Sequence, residues 1–395
     1  MLKQIEGSRA VAESIALCRP KVVCAYPITP QTHIVEGLGE MVRTGELPDC
    51  EFINVESEFA AMSVAIGSSA AGVRTYTATS SQGLLFMTEA VYNASGMGLP
   101  IVMTLGTRAI GAPINIWNDH SDAMALRDAG WIMLFAESNQ EALDLHVQAF
   151  RIAEELGTPV MVCVDGFILT HAYERLDLPP LEQVQAFVGP FKPAYEFDPK
   201  HPMSAGSLVG PEAFAEVRYL AHRKQLQALE LIPQIAVEFE AMFARDSGGL
   251  IHSYGVEGAS TIVVAMGSVI GTILDVCDEL REAGHSIGTL AITSYRPFPV
   301  AAVREALKHA ERVIVIEKSI TAGMGGPLTA DIRLALDRLQ IPLQSVIAGL
   351  GGRPITKDSL LKLLQRAPHD EVPDTTFLDL NWDMIRNELE QLEVS

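Results

Sequence analysis

The chain has 395 residues, of which 48% are hydrophobic and 20% charged, enough for two or three domains that each bury a sizeable core. Its 49 acidic residues against 29 basic ones give a net charge of −20, which repels a phosphate backbone and anionic lipid alike and excludes nucleic acid as an expected partner. No apolar run reaches about 18 residues and Met1 to Gly7 contains no apolar signal core, so no membrane span, no signal peptide and a cytoplasmic location are expected. The five cysteines, Cys18, Cys24, Cys50, Cys163 and Cys277, are scattered with no C-x-x-C pair. This chain is therefore expected to hold neither an iron–sulfur cluster nor structural zinc, and Cys24, Cys163 and Cys277 read as core-packing residues.

In chain order, Gly7 to Leu17 predicts a small-residue helix that feeds the apolar strand Val22 to Ala25. Tyr26-Pro27-Ile28-Thr29-Pro30-Gln31-Thr32 then breaks into a loop stiffened by two prolines, which sets Thr29 at a defined angle at a strand's carboxyl edge; by itself it also fits an ordinary strand-ending turn. A helix over Ile34 to Thr44, a strand at Glu51 to Val55 and an Ala/Gly/Ser-rich helix from Glu56 to Gly72 follow. Strand Arg74 to Thr79, a helix entered through Ser80-Ser81-Gln82-Gly83, and strand Pro100 to Leu105 lead to a long polar loop from Gly106 to Asp122. Helix Asn139 to Leu156 and strand Pro159 to Val164 complete an alternating pattern, which predicts an α/β fold with a covered parallel sheet and three loops converging at one edge.

From Leu178 to Pro211 seven prolines mark an extended connector, and Glu212 to Arg245 predicts a long helix pair divided near Pro233. A second α/β unit runs through strand Ser260 to Ser268, helix Gly271 to Ala283, strand Ile287 to Thr293, the loop Ser294 to Pro299 and helix Val300 to His309. It ends with strand Arg312 to Glu317, a helix after Gly323-Met324-Gly325-Gly326-Pro327, strand Leu343 to Ala348 and helix Lys357 to Arg366. The expected domains are 1–250, with the connector and long helices at about 178–250, then 251–370, then an acidic tail at 371–395 with a helix near Trp382 to Leu392.

Gly267-Ser268-Val269-Ile270-Gly271 and Gly323-Met324-Gly325-Gly326 match neither a dinucleotide fingerprint nor a Walker A loop and read as tight strand-to-helix turns. Asp119-His120-Ser121-Asp122 lacks a supporting ligand cluster and reads as a hydrogen-bonded loop anchor, so no metal ligand is assigned; His171 stands alone.

Tyr26-Pro27-Ile28-Thr29-Pro30, Glu56-Ser57-Glu58, Thr79 to Leu84, Thr107-Arg108-Ala109-Ile110 and Asn118 to Asp122 follow in an order and spacing that resembles the α subunit of the 2-oxoacid:ferredoxin oxidoreductases, the pyruvate:ferredoxin oxidoreductase family. The resemblance runs from about Gly7 to Arg366 and includes Tyr295-Arg296-Pro297-Phe298-Pro299. It implies the pyrimidine-binding half of a thiamine-diphosphate site followed by a domain like the C-terminal domain of transketolase. Glu58 matches the glutamate that activates the aminopyrimidine, with Glu56 as its neighbouring rival; Pro27 and Ile28 lie against the pyrimidine, and Thr29 and Arg108 match the residues that hold the oxoacid carboxylate.

The diphosphate half is missing, since the chain has no Gly-Asp-Gly and no Asn-Asn. The resemblance accordingly implies a separate β subunit for the diphosphate and Mg²⁺, γ and ferredoxin-like cluster-bearing subunits, external ferredoxin, coenzyme A as co-substrate, and a dimer of such heteromers serving anaerobic metabolism. Arg108 is the one Lys or Arg between Pro100 and Arg127, with His120 the other group that can carry positive charge, which favours pyruvate or a branched-chain 2-oxoacid over a dicarboxylic one. A branched-chain 2-oxoacid enzyme of the same architecture and a non-catalytic assembly subunit stay open as alternatives.

Overall fold

A computed structural model describes residues 2–193, 199–366 and 375–394. Its strands are β1 (Leu2–Glu6), β2 (Val22–Cys24), β3 (Glu51–Ile53), β4 (Thr75–Thr79), β5 (Ile101–Thr107), β6 (Ile132–Phe135), β7 (Val160–Asp165), β8 (Tyr173–Asp177), β9 (Ile251–Tyr254), β10 (Thr261–Ala265), β11 (Ile287–Ile292), β12 (Ser294–Arg296), β13 (Arg312–Glu317), β14 (Leu343–Ile347) and β15 (Thr375–Phe377). They form a seven-stranded sheet in the order β12-β6-β7-β5-β4-β2-β3, a six-stranded sheet in the order β15-β14-β13-β10-β11-β9, and an antiparallel β1-β8 ribbon. Both large sheets are parallel except at one edge, where β12 runs against β6 and β9 against β11.

Alternation along each strand explains the layering. On β7, Val160, Val162 and Val164 face one core, with helices Gly7–Leu17, Asn139–Leu156 and Phe214–Phe243, while Met161 and Cys163 face the other. That second core continues into the next domain through Ile262 and Val264 of β10 and Val313 and Val315 of β13. Their neighbours Val263, Ala265, Ile314 and Ile316 turn outward to helices Val269–Glu282 and Lys357–Arg366. The two sheets thus share a middle layer of side chains.

Local signals set the helix ends. Ser138 caps Asn139–Leu156 by accepting from the Glu141 N–H at 3.1 Å, and Gly157 closes it at φ 57°. Helices Gly7–Leu17, Asn139–Leu156 and Lys357–Arg366 have the bounds the sequence predicts. All five cysteines are buried and free.

Five expectations are corrected. The Glu212–Arg245 pair is one helix, Phe214–Phe243, with Pro233 inside it: Ala228, Ile232, Ile235 and Phe239 pack one continuous stripe on the core, and that burial outweighs the roughly 3 kcal/mol a proline costs. The connector contains helix Leu181–Val188, held by Val184 and Phe187. Short strands at β6 and β9 were hidden between turn residues. Ser294 to Pro299 is not only loop, because β12 leaves its own domain and pairs with β6. The tail adds β15 to the second sheet beside β14, and its helix spans Trp382–Val394; residues 371–374 and 395 lie outside the described ones.

Candidate functional site

The loops after β2, β4, β5 and β7 meet at the carboxyl edge of the seven-stranded sheet, where an open parallel sheet forms its crevice. Pro30 is the wedge between them. A Cβ on Gly106 would lie 3.4 Å from the Pro30 ring, and one on Gly166 2.6 Å from it, so bare backbone from β5 and β7 lets the proline loop sit down on the sheet. Gln31 closes the loop, its Nε2 donating to the Tyr26 carbonyl at 2.9 Å.

Arg108 leaves the end of β5 with its guanidinium largely buried. Its Nη1 donates to the Thr29 carbonyl at 2.9 Å and its Nε to the Asn115 carbonyl at 3.0 Å. No carboxylate pairs with the guanidinium among the described residues, and burial pulls its pKa down, with distant Asp122 opposing. A buried cation held only by carbonyls retains the capacity to take an anion. The structure thus brings Thr29 and Arg108 together, through the threonine's backbone. The Thr29 side chain is exposed, as is Pro27, and Ile28 is half-buried.

Glu58 opens helix Glu58–Ala70 behind an N-cap, Ser57, whose hydroxyl accepts from the Ala60 N–H at 3.2 Å. Glu58 is 9% exposed while Glu56 is exposed, which separates the two rivals by burial. The Glu58 carboxylate makes no hydrogen bond among the described residues, although it lies against the backbone of Gly83: a Cβ there would be 2.7 Å from Oε1 and 2.6 Å from Thr79 Oγ1. Thr79 Oγ1 is itself buried without a partner. A sheltered carboxylate, an orphaned hydroxyl and a missing Cβ fit the edge of a hydrogen-bonding heterocycle, as a thiamine aminopyrimidine is.

Asp122 ties the halves of the crevice together. Its Oδ2 accepts from the N–H groups of Ser81, at 2.8 Å, and Arg108, at 3.0 Å, and its Oδ1 from the Ala123 N–H at 2.8 Å. Burial pushes its carboxyl up to about 8 against the pull of those donors. The stretch Asp119 to Asp122 is the hydrogen-bonded anchor its pattern predicts. Asp119 Oδ2 takes the Gly351 N–H at 3.0 Å, which extends the anchor to the second domain.

Sequence reasoning missed Asp165, the last residue of β7. It is fully buried and accepts from Lys318 Nζ at 2.9 Å, His120 Nε2 at 2.7 Å, Ser268 Oγ at 2.6 Å and Thr107 Oγ1 at 3.1 Å. Although burial opposes ionisation, Lys318 and His120 hold its carboxyl well below the usual range. The Gly267-Ser268 turn is therefore an interdomain clasp. The available signal was an aspartate immediately after an apolar strand and before Gly166, at the crevice edge. Gly323 to Gly326 also keeps its structural reading, because the helix start behind it is already capped by Glu317, which accepts from the Leu328 and Thr329 N–H groups at 2.8 and 3.1 Å. His171 does not stand alone: its ring lies 4.9 Å from that of His33 and 4.7 Å from that of Phe167, and Glu6, His33 and His171 have donor atoms within 4.8 Å of one another.

Known families match this arrangement. The thiamine-diphosphate-binding domain of pyruvate flavodoxin/ferredoxin oxidoreductases matches residues 13–236, and the pyruvate:ferredoxin oxidoreductase core domain II matches residues 259–360. Fold and crevice define a two-domain α/β protein of the thiamine-diphosphate class. A pyruvate synthase subunit PorA from Methanosarcina barkeri is 45% identical over 96% of this chain and 97% of its own; a ketoisovalerate oxidoreductase subunit VorA from Pyrococcus abyssi is 37% identical over 90% of each. Among solved structures, a 2-oxoglutarate:ferredoxin oxidoreductase from Magnetococcus marinus, with 2-oxoglutarate, coenzyme A and succinyl-CoA bound, has a TM-score of 0.70 at 19% identity, covering 92% of this chain and 65% of that one. A split-gene transketolase in an inactive β4 tetramer has a TM-score of 0.55 at 15% identity, covering 92% and 98%, so the transketolase-like fold expected from the sequence is present. The chain belongs to the pyruvate:ferredoxin oxidoreductase family. No helix of the described residues is long and apolar enough to cross a membrane.

Proposed function

We propose that this chain is the α subunit of a coenzyme A-dependent pyruvate:ferredoxin oxidoreductase, which converts pyruvate and coenzyme A to acetyl-CoA and CO₂ and passes the two electrons to ferredoxin. The observation that carries the reading is a buried guanidinium, Arg108, with no acid partner among the described residues, on the same sheet edge as a sheltered, unpartnered carboxylate, Glu58.

Glu58, Thr79 and the backbone of Pro27 and Ile28 would hold the aminopyrimidine end of thiamine diphosphate, which when bound supplies the nucleophilic carbon for decarboxylation. Glu58, in the first turn of helix Glu58–Ala70, would hold a proton at the pyrimidine ring nitrogen. Arg108 binds the substrate carboxylate, and the Thr29 hydroxyl orients it beside the reacting carbonyl. Ser81 and Asp122 keep the two groups in register. The diphosphate, Mg²⁺ and the iron–sulfur clusters are assigned to partner chains: a β subunit, γ and ferredoxin-like subunits, and external ferredoxin.

A monocarboxylic oxoacid such as pyruvate is supported over a dicarboxylic one by charge. A second substrate carboxylate needs a second cation, and Lys318, the cation beside these loops, is committed to Asp165. The greater identity to the pyruvate synthase relative than to the ketoisovalerate one supports pyruvate. The test is kcat/KM for pyruvate, 2-oxoisovalerate and 2-oxoglutarate in the assembled complex. Pyruvate is expected to lead; a preference for 2-oxoglutarate overturns the charge argument. Glu58→Gln in the same complex is expected to abolish turnover, and wild-type rates refute the assignment of Glu58.

A further inference from the structure

At the opposite, amino-terminal edge of the seven-stranded sheet, helix Phe214–Phe243 crosses the starts of β6 and β7 and encloses a cavity of about 410 Å³, within the range of small-ligand sites. The strands themselves separate it from the catalytic crevice by about 20 Å, the length of a seven-residue strand such as β5. Its charge runs against that of the molecule. The chain carries −20, yet Arg127, Arg218, Lys224 and Arg296 line this cavity against the single carboxylate of Asp128.

Two of these cations have no acid partner among the described residues. Arg296 pairs with Asp331 at 3.0 Å and Arg127 approaches Asp128 at 4.0 Å, but Arg218 and Lys224 pair with none. Lys224 is the more telling. Its ammonium is half-buried and donates to the Gly157 carbonyl at 2.9 Å. Gly98 and Gly157, at φ 67° and 57°, leave it room, since Cβ atoms there would stand 3.2 and 3.3 Å from Nζ. Burial draws its pKa down, the cost of a charge with no counter-ion. Beside it, Gln225 Nε2 donates to the Gly130 carbonyl at 2.8 Å, while Gln225 Oε1 is buried with no partner among the described residues. Leu226, Leu229 and Phe298 supply an apolar wall. Arg296 and Phe298 belong to the Tyr295-to-Pro299 stretch, which the catalytic edge leaves without a role.

We infer that this cavity is a second ligand site, for a nucleoside monophosphate or a phosphomonoester of similar shape. The phosphate meets Arg218 and Lys224, the base or ring lies on Leu226, Leu229 and Phe298, and a ligand hydroxyl or amine donates to Gln225 Oε1. Occupation compensates a half-buried cation and an orphaned acceptor and joins the long helix to the starts of two sheet strands. The site is remote from the crevice, so its ligand is an effector and not a substrate.

The test is isothermal titration of the assembled complex with adenosine 5′-monophosphate, with inorganic phosphate and with adenosine. The expected result is saturable binding of the monophosphate, one per chain, weakened by salt, with phosphate competing more weakly and adenosine not binding measurably. Arg218→Ala and Lys224→Met are each expected to weaken it at least about tenfold while leaving the basal pyruvate rate unchanged. Arg218 is exposed, so its replacement tests the site even if the Lys224 variant fails to assemble. Absence of saturable binding, undiminished binding by Arg218→Ala, or phosphate binding as tightly as the monophosphate overturns the inference.

Discussion

Gly83→Ala isolates the position of the Glu58 carboxylate from its chemistry. The new Cβ would lie 2.7 Å from Glu58 Oε1, 2.9 Å from Glu58 Cγ and 2.6 Å from Thr79 Oγ1, whereas ordinary contact begins at 3.4 Å, so both side chains must give way, the carboxylate by about 0.7 Å where the backbone holds its place. Gly83 lies inside helix Ser81–Phe86, where alanine is intrinsically better than glycine by roughly 1 kcal/mol, so helix propensity alone predicts a neutral or stabilised protein. Catalysis is more sensitive than stability here, because a displacement near 1 Å from productive geometry costs about a hundredfold. The expected outcome is a complex that assembles with near-normal thermal stability but whose kcat falls about 10- to 100-fold, with weaker thiamine diphosphate binding. Steady-state rates at saturating pyruvate and cofactor titration by tryptophan fluorescence measure both. Wild-type kcat and cofactor affinity in this variant refute the reasoning, because they place the working carboxylate somewhere other than against Gly83.

Arg108→Lys keeps the charge but loses the fork that spans Thr29 and Asn115, so KM for pyruvate is expected to rise about tenfold or more, with a smaller change in kcat. An unchanged KM removes Arg108 from the substrate. Asp165→Asn strips the buried partner of Lys318 and should cost about 3–5 kcal/mol in chemical denaturation, whereas adding Lys318→Met should recover part of the loss; no recovery argues against the ion pair as the cause. His146 is fully buried and neutral: its Nδ1 donates to the Ala142 carbonyl at 2.6 Å, so its Nε2 accepts from Thr104, which leaves Tyr76 to donate to Thr104. Burial pulls its pKa from 6.5 to about 4. The unfolded chain thus takes a proton that the folded one refuses, so this contribution is intact above pH 6.5 and falls by about 3 kcal/mol as the pH drops to 4. His146→Gln should flatten that part of the stability profile, and parallel profiles contradict the linkage.

Much of the fold was legible because its signals are local. Apolar runs such as Val160 to Val164 announce strands of a sheet covered on both faces, and Ser138 with Gly157 brackets a helix to the residue. The elements that escaped depend on distant partners. β12 exists because Ser294 and Arg296 meet β6 about 160 positions earlier in the chain, and β15 because the tail reaches β14. Pro233 stays inside a helix because the surface beneath it is worth more than the bond it breaks.

The same division holds at the crevice. The stiff proline loop drew attention to Thr29, and the family resemblance carried by short motifs nominated Glu58 and Arg108. The sequence could not show that Arg108 is held through the Thr29 carbonyl, that Glu58 rests on Gly83, or that Asp122 and Asp165 tie the loops to each other and to the second domain. The sequence alone determined an acidic α/β chain with a covered parallel sheet, through the alternation of apolar runs and helical stretches along it, and its scattered cysteines gave the expectation that it holds no iron–sulfur cluster. Only the tertiary structure decided which polar groups among the described residues are satisfied and which are left without a partner, since burial and hydrogen bonding are set by segments far apart in the chain.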